Sequence, residues 1–489
     1  MTDRPLNLAI FDMGLLKAPF FLGLREHLAP TINCLYWSRR LLMRRYAQSA
    51  DIAIFPTTLA ELRLKTGISD DQLRTAIGIK EQKLRGTGSL EKSRRRYAEI
   101  EAFLDEQVID ALLVWNGSNK LLSLAIHAAK QRGIPVIYAE HGYFPGTMQL
   151  DLEGVNHASS LTRLIRADLA QRPQQPALDA RLDAIIDAVR GDAPSRVVRT
   201  AIPAQYLQTR QARAMNALFY RLRPYGLGKP LFTGYQDPPL PAEDFVFYPL
   251  QVRKDSQLLL HSPIWGNDHA AVIAALSARL AQMTPPRRLV VKFHPQEERI
   301  AQIRNDALIQ QFPEVTFICN IPATELIKRA RFVVTINSSV GFEAILLDKP
   351  LVTLGNSFFA VPSLAEVVGA ESELTAALHA ADALPVRTEA RRTMLRYCMA
   401  DFFSFGTYFD HRPDSYTAIA ERIRALLMPQ AANPRPRAMA RTSSSNPDAG
   451  PSAGAGPPAR ASCKGALRPA AVVLKSLSLT GVPAWQIAS

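Results

Sequence analysis

Cysteine is scarce and scattered. The four thiols, Cys34, Cys319, Cys398 and Cys463, lie far apart in 489 residues, and no two stand in Cys-x-x-Cys spacing. That excludes a disulfide framework and a structural zinc site, and it fits a reducing compartment. Long apolar runs are missing too: none reaches the roughly 18 residues of a membrane span. Leu6 to Leu16 is mostly apolar, but Asp12 interrupts it, Lys17 follows, and no small-residue cleavage site comes next. The stretch reads as a buried first strand, and the protein is expected to stay in the cytoplasm. Acidic residues are the minority, 44 against 58 Lys and Arg, for a formal charge of +14. Charge of that size bears on partners and solubility, not on fold.

Several chemistries are absent. There is no GxxxxGK[ST] loop, so the chain is no P-loop NTPase. No GxGxxG follows a strand; Gly86-Thr87-Gly88 lies between charged helical segments. No GxSxG elbow of the α/β-hydrolases occurs. No Asp-x-Asp occurs, the metal-binding signature of one large class of glycosyltransferases. The nine histidines lack metal-ligand spacing, so no metal site is expected.

What is present is globular: 47% apolar and 21% charged residues, enough to bury more than one core. Residues 1–165 read as an α/β domain with strands at Leu6 to Phe11, Asp51 to Phe55, Asp110 to Trp115 and Pro135 to Tyr138. A helix over Asn119 to Gln131 ends at Gly133, which makes a parallel βαβ unit. Residues 166–242, with helical patterns at Ala177 to Val189 and Ala201 to Leu222 and a Pro/Gly-rich Pro224 to Pro241, read as the connection. Residues 243–428 alternate strictly. Strands fall at Phe245 to Val252, Arg288 to Phe293, Val315 to Ile318, Phe332 to Ile336 and Leu351 to Leu354. Helices stand between them, with Glu389 to Phe403 and Ser415 to Leu427 closing the fold. Alternation predicts two doubly wound, Rossmann-type sheets. Residues 429–489, rich in Pro, Ala, Gly, Ser and Arg, read as a disordered low-complexity tail. The tail holds seven Lys and Arg against Asp448 alone, so it carries part of the excess charge. It lacks interleaved aromatics, and no nucleic-acid role is assigned.

Ligands of doubly wound sheets bind beyond the carboxyl ends of the strands. Three polar clusters fall there in the second domain: Gln251 with Asp255, Ser256, His261 and Ser262; Lys292, His294 and Pro295; and Asn337, Ser338, Ser339, Gly341 and Glu343. In the last, small hydroxyl residues open a helix whose N–H groups and dipole favour an anion. Gly341 permits close approach, and Glu343, one turn inside, suits ribose hydroxyls. The rival reading of these serines is an ordinary helix cap. On the first domain's rim, Glu140 and His141 suit acid/base chemistry, with Asn116 beside them. Arg39, Arg40, Arg44 and Arg45 recur on one helical face, and a second basic cluster runs from Lys80 to Arg96. Such faces can hold anionic lipid or simply be solvated.

These segments resemble the capsular polysaccharide synthesis family of Gram-negative bacteria. The resemblance rests on Phe247-Tyr248-Pro249-Leu250-Gln251-Val252, Asp255-Ser256-Gln257, His261-Ser262, Lys292-Phe293-His294-Pro295, Thr335 to Gly341, and Lys349-Pro350-Leu351-Val352 with Leu354-Gly355. In the first half it rests on Glu140-His141-Gly142-Tyr143 and Glu153-Gly154-Val155-Asn156. It runs from about residue 6 to 428. It implies an α/β fold of the GT-B type, two doubly wound Rossmann-type domains facing across a cleft, and a retaining, metal-independent β-Kdo transferase. Such an enzyme takes Kdo from CMP-Kdo to a phosphatidylglycerol-type lipid and so builds the capsule linker, in the cytoplasm at the inner membrane. It implies that His294, Ser338 and Ser339 contact CMP, and that no cofactor is needed beyond the donor substrate. Family members often carry an acid where this chain has His141, so Glu140 is the remaining acid there. The implied partners are a nucleotide sugar, an anionic lipid acceptor and other capsule synthesis or export proteins. Two other readings stand beside it: a transferase using another cytidine-linked donor, sialyl or glycerol-phosphate, and a non-catalytic partner in capsule assembly.

Overall fold

The computed structural model describes residues 4–14, 17–38, 66–168, 178–191, 235–294, 306–385 and 387–431. The expected strand Asp51 to Phe55, the arginines 39–45, Pro295, the helix over Ala201 to Leu222 and all but the first residues of the tail lie outside these.

The first lobe runs β1 (Leu6–Phe11), α1 (Ala18–Leu28), β2 (Ile32–Trp37), α2 (Asp70–Ile77), α3 (Ile79–Arg85), α4 (Leu90–Glu106), β3 (Ala111–Trp115), α5 (Lys120–Gln131), β4 (Val136–His141), β5 (Thr147–Asp151), α6 (Ser160–Asp168) and α7 (Asp179–Arg190). The second runs β6 (Phe245–Pro249), α8 (Ser256–His261), α9 (His269–Leu280), β7 (Arg288–Lys292), β8 (Thr316–Ile318), α10 (Ala323–Arg329), β9 (Phe332–Thr335), α11 (Val340–Leu346), β10 (Leu351–Thr353), β11 (Glu366–Val367) and α12 (Leu374–Asp382). It is followed by α13 (Thr388–Tyr397), β12 (Phe403–Phe405) and α14 (Pro413–Ala431).

The second sheet has the order β11-β10-β9-β6-β7-β8, all parallel, which is the order of doubly wound Rossmann sheets. Its strand order reverses between β6 and β9, which fixes the crevice where such sheets hold ligands. The first sheet has the order β12-β5-β4-β3-β1-β2, parallel from β4 to β2. Both sheets are covered on two faces, as parallel sheets require. Alternation shows it: Leu8 and Ile10 enter one apolar cluster, Ala9 and Phe11 the opposite one. In the second lobe Phe245 and Phe247 face one side, Val246 and Tyr248 the other. Local signals act as the sequence suggests. Asn119 caps α5 by accepting from the Leu122 N–H (3.0 Å), and Gly133 beyond its end takes φ +65°.

Four features depart from expectation. The second strand is Ile32–Trp37, paired with β1 in full register; Asn33 and Cys34 break its apolar run and hid it. Strand β4 extends to His141, because β5 returns as a hairpin and prolongs the ladder, with Glu140 opposite Gln149 and His141 opposite Met148. Glu140 and His141 are therefore in the strand, not beyond it. Finally, the last segment leaves the second lobe after its first helix and returns to the first lobe, so the 243–428 unit is not one lobe throughout. After α13 and a π-helical turn at Cys398–Phe402, β12 pairs antiparallel with β5 of the first sheet. Helix α14 then packs Tyr416, Ile419, Ile423 and Leu427 into the first lobe's core. Helix α7, expected in the connection, joins the body: Leu182 and Ile186 enter the apolar cluster of the second lobe, and Asp179 and Asp183 pair with Arg392 and Arg396 of α13. Among the described residues no helix is long and apolar enough to cross a membrane.

Candidate functional site

The switch point of the second sheet is closed by two amides. Gln251, after β6, donates from Nε2 to Oδ1 of Asn337, after β9, at 3.0 Å, and accepts the Asn337 N–H at 3.3 Å. Asn337 Nδ2 donates on to the carbonyls of Gln257 (2.9 Å) and His261 (3.3 Å). Both residues are buried, and their hydrogen-bonding capacity goes to fixing the loop that carries α8. Asp255 N-caps that helix through the Gln257 N–H (2.9 Å), and Ser256, buried, starts it.

The turn before α11 is less open to an anion than its sequence suggests. Helix α11 has seven residues. Ser338 N–H goes to Thr335 Oγ1 (3.2 Å), Val340 N–H to Ser338 Oγ (3.3 Å) and Gly341 N–H to the Ser338 carbonyl (3.0 Å). Ser339 is exposed and makes no capping bond, so the plain cap reading does not describe it either. Packing alone requires Gly341: a Cβ there would lie 2.7 Å from the Phe359 ring and 3.0 Å from Thr335 Cγ2. Glu343 has a pKa pushed up to about 7 by desolvation.

Lys292 and His294 part company. Lys292 is buried and donates to the Cys319 carbonyl at 2.6 Å, near Asp237. It ties β7 to the end of β8 through that carbonyl. His294 lies beside Asp255. Burial lowers its pKa, and the aspartate opposes that shift.

From the first lobe, Glu140 is held by two bonds. Asn116, in a left-handed conformation (φ +61°) that asparagine tolerates, donates from Nδ2 to Oε2 at 2.7 Å. The His141 N–H donates to Oε1 at 2.9 Å. His141 is exposed beside an aromatic group: its ring centroid lies 5.2 Å from Trp115 and 5.3 Å from Tyr408, and Lys17 Nζ sits 4.6 Å over Trp115. Desolvation lowers the His141 pKa, with Lys17 acting the same way and Glu140 against.

Lys80 stands at the start of α3, in the basic run from Lys80 to Arg96. It donates to Ser118 Oγ at 3.3 Å and is half-buried at the join of the lobes. Its pKa is lowered by desolvation, opposed by Asp255 of one lobe and by Glu81 and Glu140 of the other. Nothing in the sequence separates it from Lys83, which donates across the lobes to the Leu259 carbonyl (2.6 Å). Arg94, by contrast, is tied to Asp70 and the Ile68 carbonyl. Tyr143 anchors the join, its ring packed edge-on to Phe342 (5.4 Å) and Phe358 (4.8 Å). The structure thus brings together Glu140, Asn116 and Lys80 with Asp255 and His294, and sets Lys292 apart. Among the described residues no His, Cys, Asp and Glu gather as metal ligands.

The family model described as capsule polysaccharide biosynthesis protein matches residues 110–399, from the strand before Asn116 to the end of α13. Protein FixF of Sinorhizobium fredii (strain NBRC 101917 / NGR234) is 31% identical over 316 residues, 64% of this chain and 63% of FixF. The capsule polysaccharide modification protein LipB of Neisseria meningitidis serogroup B (strain ATCC BAA-335 / MC58) is 22% identical over 288 residues, 55% of this chain and 68% of LipB. Among solved structures, the beta Kdo 2,7 transferase of Thermosulfurimonas dismutans KpsC aligns with a TM-score of 0.44 at 13% identity, over 87% of this chain and 99% of that one. The chain therefore spans less than two thirds of FixF. Because the matched segment takes in more than half of the chain and both rims just described, the chain belongs to the capsule polysaccharide biosynthesis protein family.

Proposed function

We propose that the protein is a GT-B glycosyltransferase of capsule biosynthesis, transferring Kdo from CMP-Kdo to a phosphatidylglycerol-type lipid at the inner face of the membrane. The observation that carries this reading is the meeting of an oriented carboxylate, Glu140, with Lys80, Asp255 and His294 across the join of the lobes.

In this reading CMP lies against the second lobe, with its ribose near Glu343 and its phosphate toward His294, Ser338 and Ser339. Lys80 offsets the negative charge of the donor. Glu140, aimed by Asn116, attacks the anomeric carbon. The bond to the phosphate oxygen breaks, its electron pair leaves with CMP, and a glycosyl ester of Glu140 forms. His141 accepts the proton of the acceptor hydroxyl as that oxygen displaces Glu140, so the configuration is retained. Basic side chains and hydrogen-bond donors stabilise the leaving phosphate, and no metal or cofactor is invoked.

The test is to mix the purified chain with CMP-Kdo and the lipid acceptor and to follow CMP release and product. Kdo transfer that is lost in Glu140→Gln is the expected outcome. Absence of transfer, where a related enzyme works under the same conditions, rejects the activity. Thermal stabilisation by CMP-Kdo against CMP-sialate and CDP-glycerol separates the other cytidine-linked donors. His141, in place of a second acid, favours one further reading: a partner in capsule assembly that binds CMP without turnover.

A further inference from the structure

Strand β12 does more than extend the first sheet: the turn behind it brings a side chain to the rim. β12 pairs with β5, and β5 with β4, whose last residue is His141. Beyond β12 the Gly406 N–H donates to the Gly146 carbonyl (2.9 Å), so the chain leaves the sheet against the β4–β5 turn. The far end of the same turn is fixed by Asp410. This buried carboxylate accepts the Arg412 N–H (3.2 Å), Nε (2.9 Å) and Nη2 (2.7 Å) of the Arg412 side chain, and the Ser415 hydroxyl. The Asp410 N–H in turn donates to the Thr407 carbonyl (2.8 Å). Between these anchors stands Tyr408, 6% exposed. It lies past residue 399, where the family match ends, and belongs to none of the polar clusters legible in the sequence.

What Tyr408 meets is His141. Its hydroxyl lies 3.5 Å from His141 Nε2, and the two ring centroids are 5.3 Å apart. The His141 backbone is already pinned. Its N–H goes to Glu140 Oε1, its carbonyl accepts Gln149 Nε2 (2.8 Å), and the residue pairs with Met148. Only the two side-chain torsions are left to decide where the imidazole points. Trp115 closes one side of the ring edge-on, and is itself backed by Phe21 (6.3 Å) and covered by Lys17. Tyr408 closes another side and supplies the hydroxyl. Among the described residues no hydrogen bond reaches His141 Nδ1.

A neutral imidazole carries one N–H and offers one lone pair, and a base must present that lone pair to the hydroxyl it deprotonates. With Nε2 turned to Tyr408, the open nitrogen is Nδ1. It can take a proton only if the ring's own proton rests on Nε2, where the Tyr408 oxygen accepts it. Once Nδ1 is protonated the ring is a cation, and the bond from Nε2 is retained. Desolvation holds the ring neutral to lower pH than usual; of the charges acting on it, Lys17 works the same way and Glu140 against.

We propose that Tyr408 is a positioning residue: its hydroxyl accepts the Nε2–H of His141, fixes that tautomer and leaves Nδ1 for the acceptor hydroxyl. The inference rests on the reading above for the base role of His141, and not for the contact itself.

The test uses the full chain labelled with nitrogen-15 in histidine, as wild type, Tyr408→Phe and His141→Gln, the last to assign the His141 signals by their loss. Long-range proton–nitrogen correlation at about pH 8, above the ordinary imidazole pKa, reads which nitrogen carries the proton. Wild type is expected to hold it on Nε2. In Tyr408→Phe, which keeps the ring and removes the hydroxyl, both nitrogen shifts are expected to move toward the average of the two tautomers. Turnover of CMP-Kdo should fall about tenfold in that variant, with KM for CMP-Kdo within about twofold and the melting temperature within about 2 °C. A purely structural tyrosine would lower the melting temperature and leave the tautomer alone. A proton on Nδ1 in wild type overturns the proposal without recourse to any variant. So does the same tautomer in wild type and Tyr408→Phe, or transfer undiminished in Tyr408→Phe. A tautomer released in Tyr408→Phe, where wild type transfers no Kdo, keeps the contact and refutes the transferase reading. Transfer by wild type, with one tautomer in both proteins, does the reverse.

Discussion

At the carboxyl edge of the second sheet, Gln251 and Asn337 turn their amides on each other and on the carbonyls behind them. At the corresponding edge of the first sheet, Asn116 turns its amide on a carboxylate, and Lys80 stands near both that carboxylate and Asp255 of the other lobe. Both rims follow parallel strands, and both hold a left-handed or tightly turned residue where a strand ends. The difference lies in where the hydrogen bonds close. Neutral groups that close on one another make scaffold. A charge oriented by a neutral group at the join of the lobes is what the proposed reaction asks for.

The largest effect expected from this contrast is kinetic. Glu140→Gln keeps the Asn116 contact in reach and removes the charge, so transfer is expected to fall by about 10²–10⁴-fold while the melting temperature stays within about 2 °C. A large drop in melting temperature with unchanged turnover would mean that the two rims are alike. The mirror experiment is Asn337→Leu. It cuts the bonds to Gln251, Gln257 and His261 and strands buried acceptors, and is expected to cost about 2–4 kcal/mol in denaturant unfolding. Ligand affinity per folded molecule should change less than in Glu140→Gln if the latch is scaffold.

The alternation of the second lobe was legible because its parallel strands are buried on both faces and read as short apolar runs bounded by polar loops. Strand β2 was not, since Asn33 and Cys34 interrupt it. Nor was β12, because Phe403-Ser404-Phe405 continues a helical pattern and its partner β5 lies some 250 residues earlier; only the tertiary ladder selects a strand there. At the site, residue types were legible and directions were not. Lys292 and His294 are neighbours in sequence, yet one is tied to Cys319 and the other lies by Asp255. Lys80 stands out only once the second lobe supplies what it faces, which no local spacing encodes.

Glu343 is the exception on the second rim, an acid whose pKa is pushed up to about 7 by desolvation. The folded protein therefore holds a proton there that the unfolded chain releases near its ordinary value. The neutral form costs nothing below about pH 4.5, and stability is lost as pH rises from there to about 7, by about 1–3 kcal/mol. Glu343→Gln should flatten that slope in unfolding midpoints measured from pH 4.5 to 7.5. An unchanged slope would place the proton elsewhere.

The smallest effect separates scaffold from charge within one residue. Asp255 caps α8, as a scaffold residue would, and its charge acts on His294 and Lys80, as a site residue's would. Asparagine caps helices about as well as aspartate, so Asp255→Asn is expected to change stability by no more than about 0.5 kcal/mol. Yet it removes the attraction that opposes desolvation at His294. The pKa of that imidazole, followed by its Cε1 proton resonance, should fall below the wild-type value, while Asp255→Ala should lose the cap as well, by about 0.5–2 kcal/mol. Were asparagine to cost as much stability as alanine and leave the His294 titration in place, Asp255 would be a cap alone. The charged constellation would then shrink to Glu140, Lys80 and His294.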